Sequence, residues 1–218
     1  MKYLRERISY SLILVFLCFL LTSTGWLAWE YHLLEQVSPG RSDLITMVAG
    51  YLLQADGIGL FSLILRFRIQ AGGRVLPAAV TAHLLCMAAA VLSPSAIVTL
   101  TAGLLMNLLC GVIAGVYLYE LTARVAKEAR ASAFGLGYGL AVLVSWLLSV
   151  IAEGTLYYSG KVLIVCALLT AAVLLLYRRM RKTACQSETE GTQGSAMPSE
   201  NRAQTALMPA NHTQKRLL

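Results

Sequence analysis

The stretch that decides the fold is residues 50–67, which read "GYLLQADGIGLFSLILRF". Its apolar length approaches the roughly 20 residues that a helix needs to cross a bilayer. Asp56 nevertheless lies in its middle. A charge at the bilayer centre costs on the order of 3 kcal/mol. We therefore expect this carboxyl group to be neutral, paired or in contact with water, and the rest of the chain decides among these environments.

The composition places the chain among membrane proteins. It has 218 residues, of which 57% are hydrophobic and 13% are charged, and its mean hydropathy is +0.66. Soluble domains contain about 25% charged residues, so a soluble globular class is excluded. The net charge of +7 and the pI of about 9.3 would indicate nucleic-acid binding in a soluble protein. Here the basic residues lie mainly in the loops between the apolar segments, and no nucleic-acid partner is predicted.

Six apolar segments predict transmembrane helices. The sixth segment is short, and we expect interfacial tyrosines such as Tyr157, Tyr158 and Tyr177 to complete it. No two cysteines form a C-x-x-C pair, so neither a metal site nor a disulfide framework is predicted. The six predicted spans are residues 8–29, 44–66, 75–93, 96–121, 132–152 and 162–177.

Basic residues alternate between the loops and predict the orientation. One set of loops and ends contains Lys2, Arg5, Arg7, Arg66, Arg68, Arg74, Arg124, Lys127, Arg130, Arg178, Arg179, Arg181 and Lys182, whereas the opposite loops contain only Arg41 and Lys161. Because cytoplasmic loops are enriched in Lys and Arg, we expect a multi-pass protein of the cell (bacterial-type inner, or plasma) membrane with both termini cytoplasmic. The first span also resembles a signal peptide. However, its apolar stretch is longer than the roughly 7–15 residues of a signal core, so we interpret it as a membrane helix.

Two regions are predicted from the change in composition along the chain. Residues 1–182 form the six-helix transmembrane domain. Residues 183–218 contain no aromatic residue and are rich in Ser, Thr, Gln, Gly and Pro. Such a segment buries too little apolar surface to offset its ordering entropy, so we expect a disordered cytoplasmic tail.

Rows of small residues predict where the helices pack. Span four carries Gly103, Gly111 and Gly115 with Asn107 in one row, and span five carries Gly135 and Gly139 as a G-x-x-x-G motif. Small residues allow transmembrane helices to approach closely, which is how such helices associate. The predicted fold class is therefore all-α, a tight bundle of six transmembrane helices.

The loop pattern resembles that of a known family. A basic loop, "RFRIQAGGR" at 66–74, follows span two, a short turn, "SPS" at 93–95, joins spans three and four, and span five contains "GLGYG" at 135–139. This arrangement resembles the N-terminal six-helix half of a major facilitator superfamily transporter, over residues 8–182. The resemblance implies that the solute lies between two such halves, so this chain would pair with a second copy or a different second half.

Three polar residues near the span centres are the candidate site. Asp56, His83 and Asn107 reach similar depths in spans two, three and four. If their faces turn inward, they line one cavity. Asp56 would then be the proton or cation site, His83 its partner or a second titrating group, and Asn107 a hydrogen-bonding residue for substrate. The alternative is structural: each polar group is satisfied by a neighbouring helix.

Three functions are compatible with these patterns. The leading hypothesis is half of a secondary transporter that moves a small solute, with protons as a candidate coupling ion. The alternatives are a six-helix membrane sensor or interaction module and a truncated, inactive transporter fragment. No H-E-x-x-H, G-x-S-x-G or P-loop motif occurs. Neither enzymatic activity nor a cofactor is predicted, and the expected partners are the lipid bilayer, a second half and a small molecule.

Overall fold

The computed structural model of the protein describes residues 2–37, 44–67, 72–151 and 155–193. These residues form helices and short connections, and no strand occurs among them, which confirms the all-α prediction. A π-helical segment, Ile45–Gly50, leads directly into the second long helix, and a single helical turn, Thr155–Tyr158, precedes the sixth. The six long helices are α1 (Lys2–Gln36), α2 (Tyr51–Phe67), α3 (Gly72–Leu92), α4 (Ala96–Arg124), α5 (Lys127–Ile151) and α6 (Lys161–Gln193).

Each long helix contains a segment that is long and apolar enough to cross a bilayer, so the chain is a multi-pass membrane protein. The helices extend beyond the first and last predicted spans. The helical segment around span one continues to Gln36, and the sixth span runs from Lys161 to Lys182 without needing tyrosines to extend it. Basic side chains at helix ends bury their stems and keep their charge in water, which makes such ends part of the span. The six observed spans are Ser9–Gln36, Ile45–Phe67, Gly73–Leu92, Ala96–Arg124, Lys127–Ile151 and Lys161–Lys182.

The first residues of the predicted tail, 183–193, are helical and continue α6. Residues 194–218 of the predicted tail lie outside the described residues. The described residues up to Met180 form one compact unit, and those from Arg181 to Gln193 belong to a second. The packing below concerns the first unit.

Helices α1 and α4 form the centre of this unit. Helix α4 contacts α1, α2, α3 and α5, and α1 contacts α3 and α5 as well. Leu14, Leu21 and Leu33 of α1 are fully buried, as is Ile113 of α4. By contrast, α2 and α5 lie at the periphery: 17% of the apolar window of each span is buried, against 50% for α1 and 44% for α4. The outer faces of α2 and α5 are therefore the least covered by the chain itself.

The closest helix contact is the crossing of α2 and α4. A Cβ atom added at Gly57 would overlap the carbonyl oxygen of Leu108 and lie 2.9 Å from the Cα atom of Gly111. A Cβ atom added at Gly111 would overlap the carbonyl oxygen of Gln54. Because the obstructing atoms belong to the backbone, they cannot move aside by a change of rotamer. The two glycines thus set the distance between these helices.

The other members of the span-four row receive aromatic side chains. The indole of Trp29 on α1 fills the space beside Gly103, and its N–H donates a 3.0 Å hydrogen bond to the carbonyl oxygen of Thr99. The ring of Phe61 on α2 fills the space beside Gly115. Gly103, Gly111 and Gly115 therefore all lie at contacts between helices.

A polar cluster joins the end of α4 to α6. Glu120 is buried and forms an ion pair with Arg124, and the hydroxyl of Tyr177 donates a 3.4 Å hydrogen bond to the same carboxylate. Arg124 also donates to the carbonyl oxygen of Met180 at 3.3 Å. Arg130 reaches back from α5 to the carbonyl oxygens of the last turn of α4, where basic side chains satisfy free helix ends. This cluster fixes the end of α4.

Candidate functional site

A cavity of about 260 Å³ lies between α2 and α5, with α1 and α4 as its floor. Its position along each helix is central: Ser23, Gln54, Cys110 and Tyr138 each stand within a few residues of the middle of their spans. The cavity is therefore at the depth of the bilayer midplane. Its lining residues are Phe19, Thr22, Ser23, Trp26, Tyr51, Gln54, Cys110, Ala114, Tyr117 and Tyr138.

Aromatic rings form much of the wall. The rings of Trp26 and Tyr51 stack with centroids 6.4 Å apart, which links α1 to α2 on one side of the cavity. On the other side the ring of Tyr138 meets Phe19 edge to face at 4.4 Å and stacks on Phe134 at 5.8 Å. Tyr51 and Tyr138 are both exposed. The two tyrosines therefore flank the groove by which the cavity meets the outer surface of the chain.

Two α1 hydroxyls supply acceptors to the cavity. Thr22 donates to the carbonyl oxygen of Phe19 at 3.1 Å, and Ser23 donates to that of Leu20 at 3.1 Å. Ser23 also lies 3.4 Å from the hydroxyl oxygen of Ser145 on α5. Since each proton is directed at the helix backbone, the oxygen lone pairs remain to accept hydrogen bonds. These side chains present acceptor oxygens at mid-depth.

The amide of Gln54 is held by Asn107. The Nε2 atom of Gln54 donates to Oδ1 of Asn107 at 2.8 Å, and Nδ2 of Asn107 donates to the carbonyl oxygen of Gly103 at 2.9 Å. Asn107 is fully buried, whereas Gln54 lines the cavity. The chain of amides fixes the orientation of Gln54 and leaves its Oε1 as an acceptor. Asn107 is thus a positioning residue behind the cavity wall.

The Trp26 indole carries an unused donor. Its Nε1 atom is buried and has no hydrogen-bond partner among the described residues. Gly50 lies beside it, and a Cβ atom added there would stand 3.7 Å from Nε1. An indole nitrogen is a donor only, and a buried polar group without a partner is uncommon enough to need an explanation.

A second, more open groove adjoins the cavity. It has a volume of about 270 Å³ and shares Phe19, Ser23 and Trp26 with it. Ser149 of α5 lines this groove and donates to the carbonyl oxygen of Ser145 at 3.1 Å. The polar groups of α1 and α5 therefore continue along the cleft between these helices. The other lining residues are Leu27, Val142, Ser145 and Trp146.

Asp56, His83 and Asn107 do not line either of the two cavities formed by the described residues. Asp56 is exposed and has no ion-pair partner among the described residues, and it does not line either cavity. Gly57 lies on the inner face of α2. Successive residues of a helix are about 100° apart, so Asp56 points away from that face. Asp56 thus lies on the outer surface, about 16 Å from each end of its span at 1.5 Å per residue.

His83 lies on a different face of the bundle, against α1. Its side chain is fully buried, and both ring nitrogens lack a hydrogen-bond partner within the described part of the chain. A Cβ atom added at Gly25 would lie 2.7 Å from its Cε1 atom. The imidazole therefore occupies the space that this glycine leaves, and the structure does not bring it to Asp56.

The G-x-x-x-G motif of span five has no close neighbour among the described residues. A Cβ atom added at Gly135 or Gly139 would meet nothing within 4 Å, and the same holds for Gly59 of α2. In α5 the glycine that packs is Gly137, whose added Cβ atom would lie 3.0 Å from the carbonyl oxygen of Leu12. Gly135 and Gly139 therefore face away from the other described residues.

Sequence reasoning missed the residues that line the cavity, chiefly Gln54, Trp26 and Ser23. A signal for Gln54 was present in α2. Gly50, Gln54, Gly57 and Phe61 recur at steps of four, three and four, which is the spacing of one helix face. Tryptophan also occurs at membrane interfaces, and no feature of the sequence around Trp26 distinguishes a cavity residue from an interfacial one.

Comparisons with known proteins do not assign the chain to a family. No family model matches the chain, and no curated protein or solved structure matches it either.

Proposed function

We propose that the protein is half of a secondary transporter of facilitator type, residing in the cell membrane with both termini cytoplasmic. It would move a small solute after pairing with a second half. The observation that supports this most is the mid-depth cavity between α2 and α5, which combines aromatic walls with hydrogen-bonding groups. A binding site at the bilayer midplane, bounded by helices that face a second repeat, is the arrangement that secondary transporters use.

The outer surface supports the pairing. Gly59, Gly135 and Gly139 offer places where a second helix can approach closely. Asp56 also faces outward at mid-depth, where exposure of its charge to lipid costs about 3 kcal/mol. A second copy of this chain laid on α2 and α5 would cover both features and close the groove over the cavity. In this arrangement Asp56 is an interface residue, and the proposed proton coupling acts there and not in a chamber shared with His83.

Cysteine accessibility tests the transport proposal. All five native cysteines are first replaced, and Ser23→Cys is introduced into right-side-out and inside-out vesicles. Alternating access requires that a membrane-impermeant thiol reagent label this site from each side, because the solute must leave by the face opposite to its entry. The matched control is Leu85→Cys on the exposed face of α3, away from the proposed pairing surface on α2 and α5. It should stay unlabelled, since thiols react as thiolates in water and this position faces lipid.

The outcomes separate the hypotheses. Labelling of the Ser23→Cys variant from both sides, without labelling of the control, agrees with transport. Labelling from one side only contradicts transport and favours a sensor that binds a ligand. The absence of labelling from either side contradicts any solute pathway through the cavity.

A further inference from the structure

The solute class can be inferred from the charge of the cavity wall. None of the described residues that line the cavity is Asp, Glu, Lys, Arg or His. An ion held at mid-membrane depth without a counter-charge is strongly disfavoured. The nearest acidic group on α2, Asp56, faces the outer surface. The cavity therefore selects against anions and cations and suits an uncharged solute.

The hydrogen-bonding groups define a second requirement. Trp26 lines the cavity, and its indole N–H has no acceptor among the described residues. Gln54 offers a carbonyl oxygen whose direction is fixed by Asn107. Thr22 and Ser23 offer oxygens whose protons are already bound to the backbone. A complementary solute thus carries one acceptor for the indole and at least one donor for these oxygens.

The aromatic wall supplies the third requirement. Tyr51 and Tyr138 both line the cavity, and each is in contact with a neighbouring ring, Trp26 and Phe19 respectively. Flat aromatic faces favour offset-stacked or edge-to-face contact with another ring. The volume of about 260 Å³ is just below the lower end of ordinary ligand pockets, which is about 300 Å³. One ring with a small polar substituent fits these limits.

We propose that this cavity binds an uncharged aromatic compound with an amide-like substituent, whose carbonyl oxygen accepts the Trp26 N–H and whose N–H groups donate to Gln54, Thr22 or Ser23. The proposal deepens the proposed transport function and rests on the same cavity. It requires no covalent step and no cofactor. A single ordered water bound to the indole is the competing occupant, and it would show no preference among added aromatic probes.

Three probes of one shape test the charge and polarity requirements. Benzamide is neutral, benzoate is an anion, and benzamidine is a cation at neutral pH. Binding of each is measured by isothermal titration calorimetry to the full chain in nanodiscs, with empty nanodiscs subtracted to remove partition into lipid. We expect saturable binding of benzamide and at least tenfold weaker binding of the two ions. Equal binding of all three probes, or no binding of benzamide, would overturn the proposal.

The Trp26→Phe variant tests the indole donor, because it keeps an aromatic ring and removes only the N–H and part of the ring. A neutral hydrogen bond of ordinary strength corresponds to a loss of roughly 3- to 10-fold in benzamide affinity. The control is Trp146→Phe, which changes an exposed tryptophan of the adjoining groove and should leave the affinity unchanged. Equal affinities for the wild type and the Trp26→Phe variant would refute the assigned contact.

Failure of the binding proposal is distinguishable from failure of the transport proposal. Benzamide binding with labelling of the Ser23→Cys variant from one side only would leave the solute class standing and remove transport. Labelling from both sides with no selectivity among the three probes would support transport and contradict the proposed solute class.

Discussion

The crossing of α2 and α4 leads to the sharpest stability prediction, for Gly111→Ala. The added methyl group would overlap the carbonyl oxygen of Gln54 and lie 2.9 Å from the Cα atom of Gly57. Ordinary van der Waals contact to an added Cβ begins near 3.4 Å, so the two backbones must separate. Overpacking of a well-packed contact costs typically 1–3 kcal/mol, and the backbone obstruction here favours the upper half of that range.

The cost should appear as a loss of about 2 kcal/mol in the free energy of unfolding. Titration of the protein from mild detergent into sodium dodecyl sulfate, followed by far-ultraviolet circular dichroism, measures this quantity. The matched control is Gly139→Ala, which makes the same chemical change at a mid-span position where an added Cβ meets nothing within 4 Å. In monomeric micelles this control should be as stable as the wild type or gain up to about 1 kcal/mol from helix propensity.

A Gly111→Ala variant as stable as the wild type would refute the reasoning, because it would show that the helices do not approach as closely as the structure indicates. A Gly139→Ala variant that loses as much stability as Gly111→Ala would also contradict it, since the two glycines would then have equivalent surroundings.

Three further substitutions separate the roles of the polar residues. His83→Leu should leave the free energy of unfolding unchanged or raise it by up to about 1 kcal/mol, because both buried nitrogens lack partners; a loss above 1 kcal/mol in the same titration would contradict a packing role. Glu120→Gln should lower it by about 1–2 kcal/mol, since the partly buried ion pair with Arg124 is broken, and an unchanged value would count against the cluster that joins α4 to α6. Asp56→Leu should reduce the dimer fraction in liposomes, counted by single-molecule photobleaching, if this carboxyl lies at the pairing surface, whereas an unchanged fraction would argue against that surface.

The number of helices and their membrane character followed from the sequence because lipid imposes a simple length rule. An apolar run either reaches about 30 Å or does not, and each backbone polar group in the bilayer must be satisfied within the segment. Span ends were less predictable. Basic residues can belong to the helix while their charges stay in water, which is why Lys182 lies within the sixth span.

The inner face of each helix was harder to predict than its existence. In α2 the notable residue was the charged one, Asp56, yet the buried stripe passes through Gln54 and Gly57. A polar residue at mid-depth indicates an energetic cost of exposure to lipid. The spacing of small residues indicates which face of the helix contacts another helix. In α5 the small residues lie on two different faces, because Gly137 faces α1 while Gly135 and Gly139 face outward. A pattern of small residues does not state whether the neighbouring helix belongs to the same chain.

The central claim is that α2 turns Gln54, and not Asp56, toward α4. A double-mutant cycle tests it most directly, because the coupling energy between two positions measures their interaction. The Nε2 atom of Gln54 lies 2.8 Å from Oδ1 of Asn107. We predict a coupling of about 0.5–1.5 kcal/mol in the free energy of unfolding between Gln54→Ala and Asn107→Ala, measured by the titration into sodium dodecyl sulfate, and no coupling between Asp56→Ala and Asn107→Ala. Coupling in the Asp56 pair without coupling in the Gln54 pair would contradict the account.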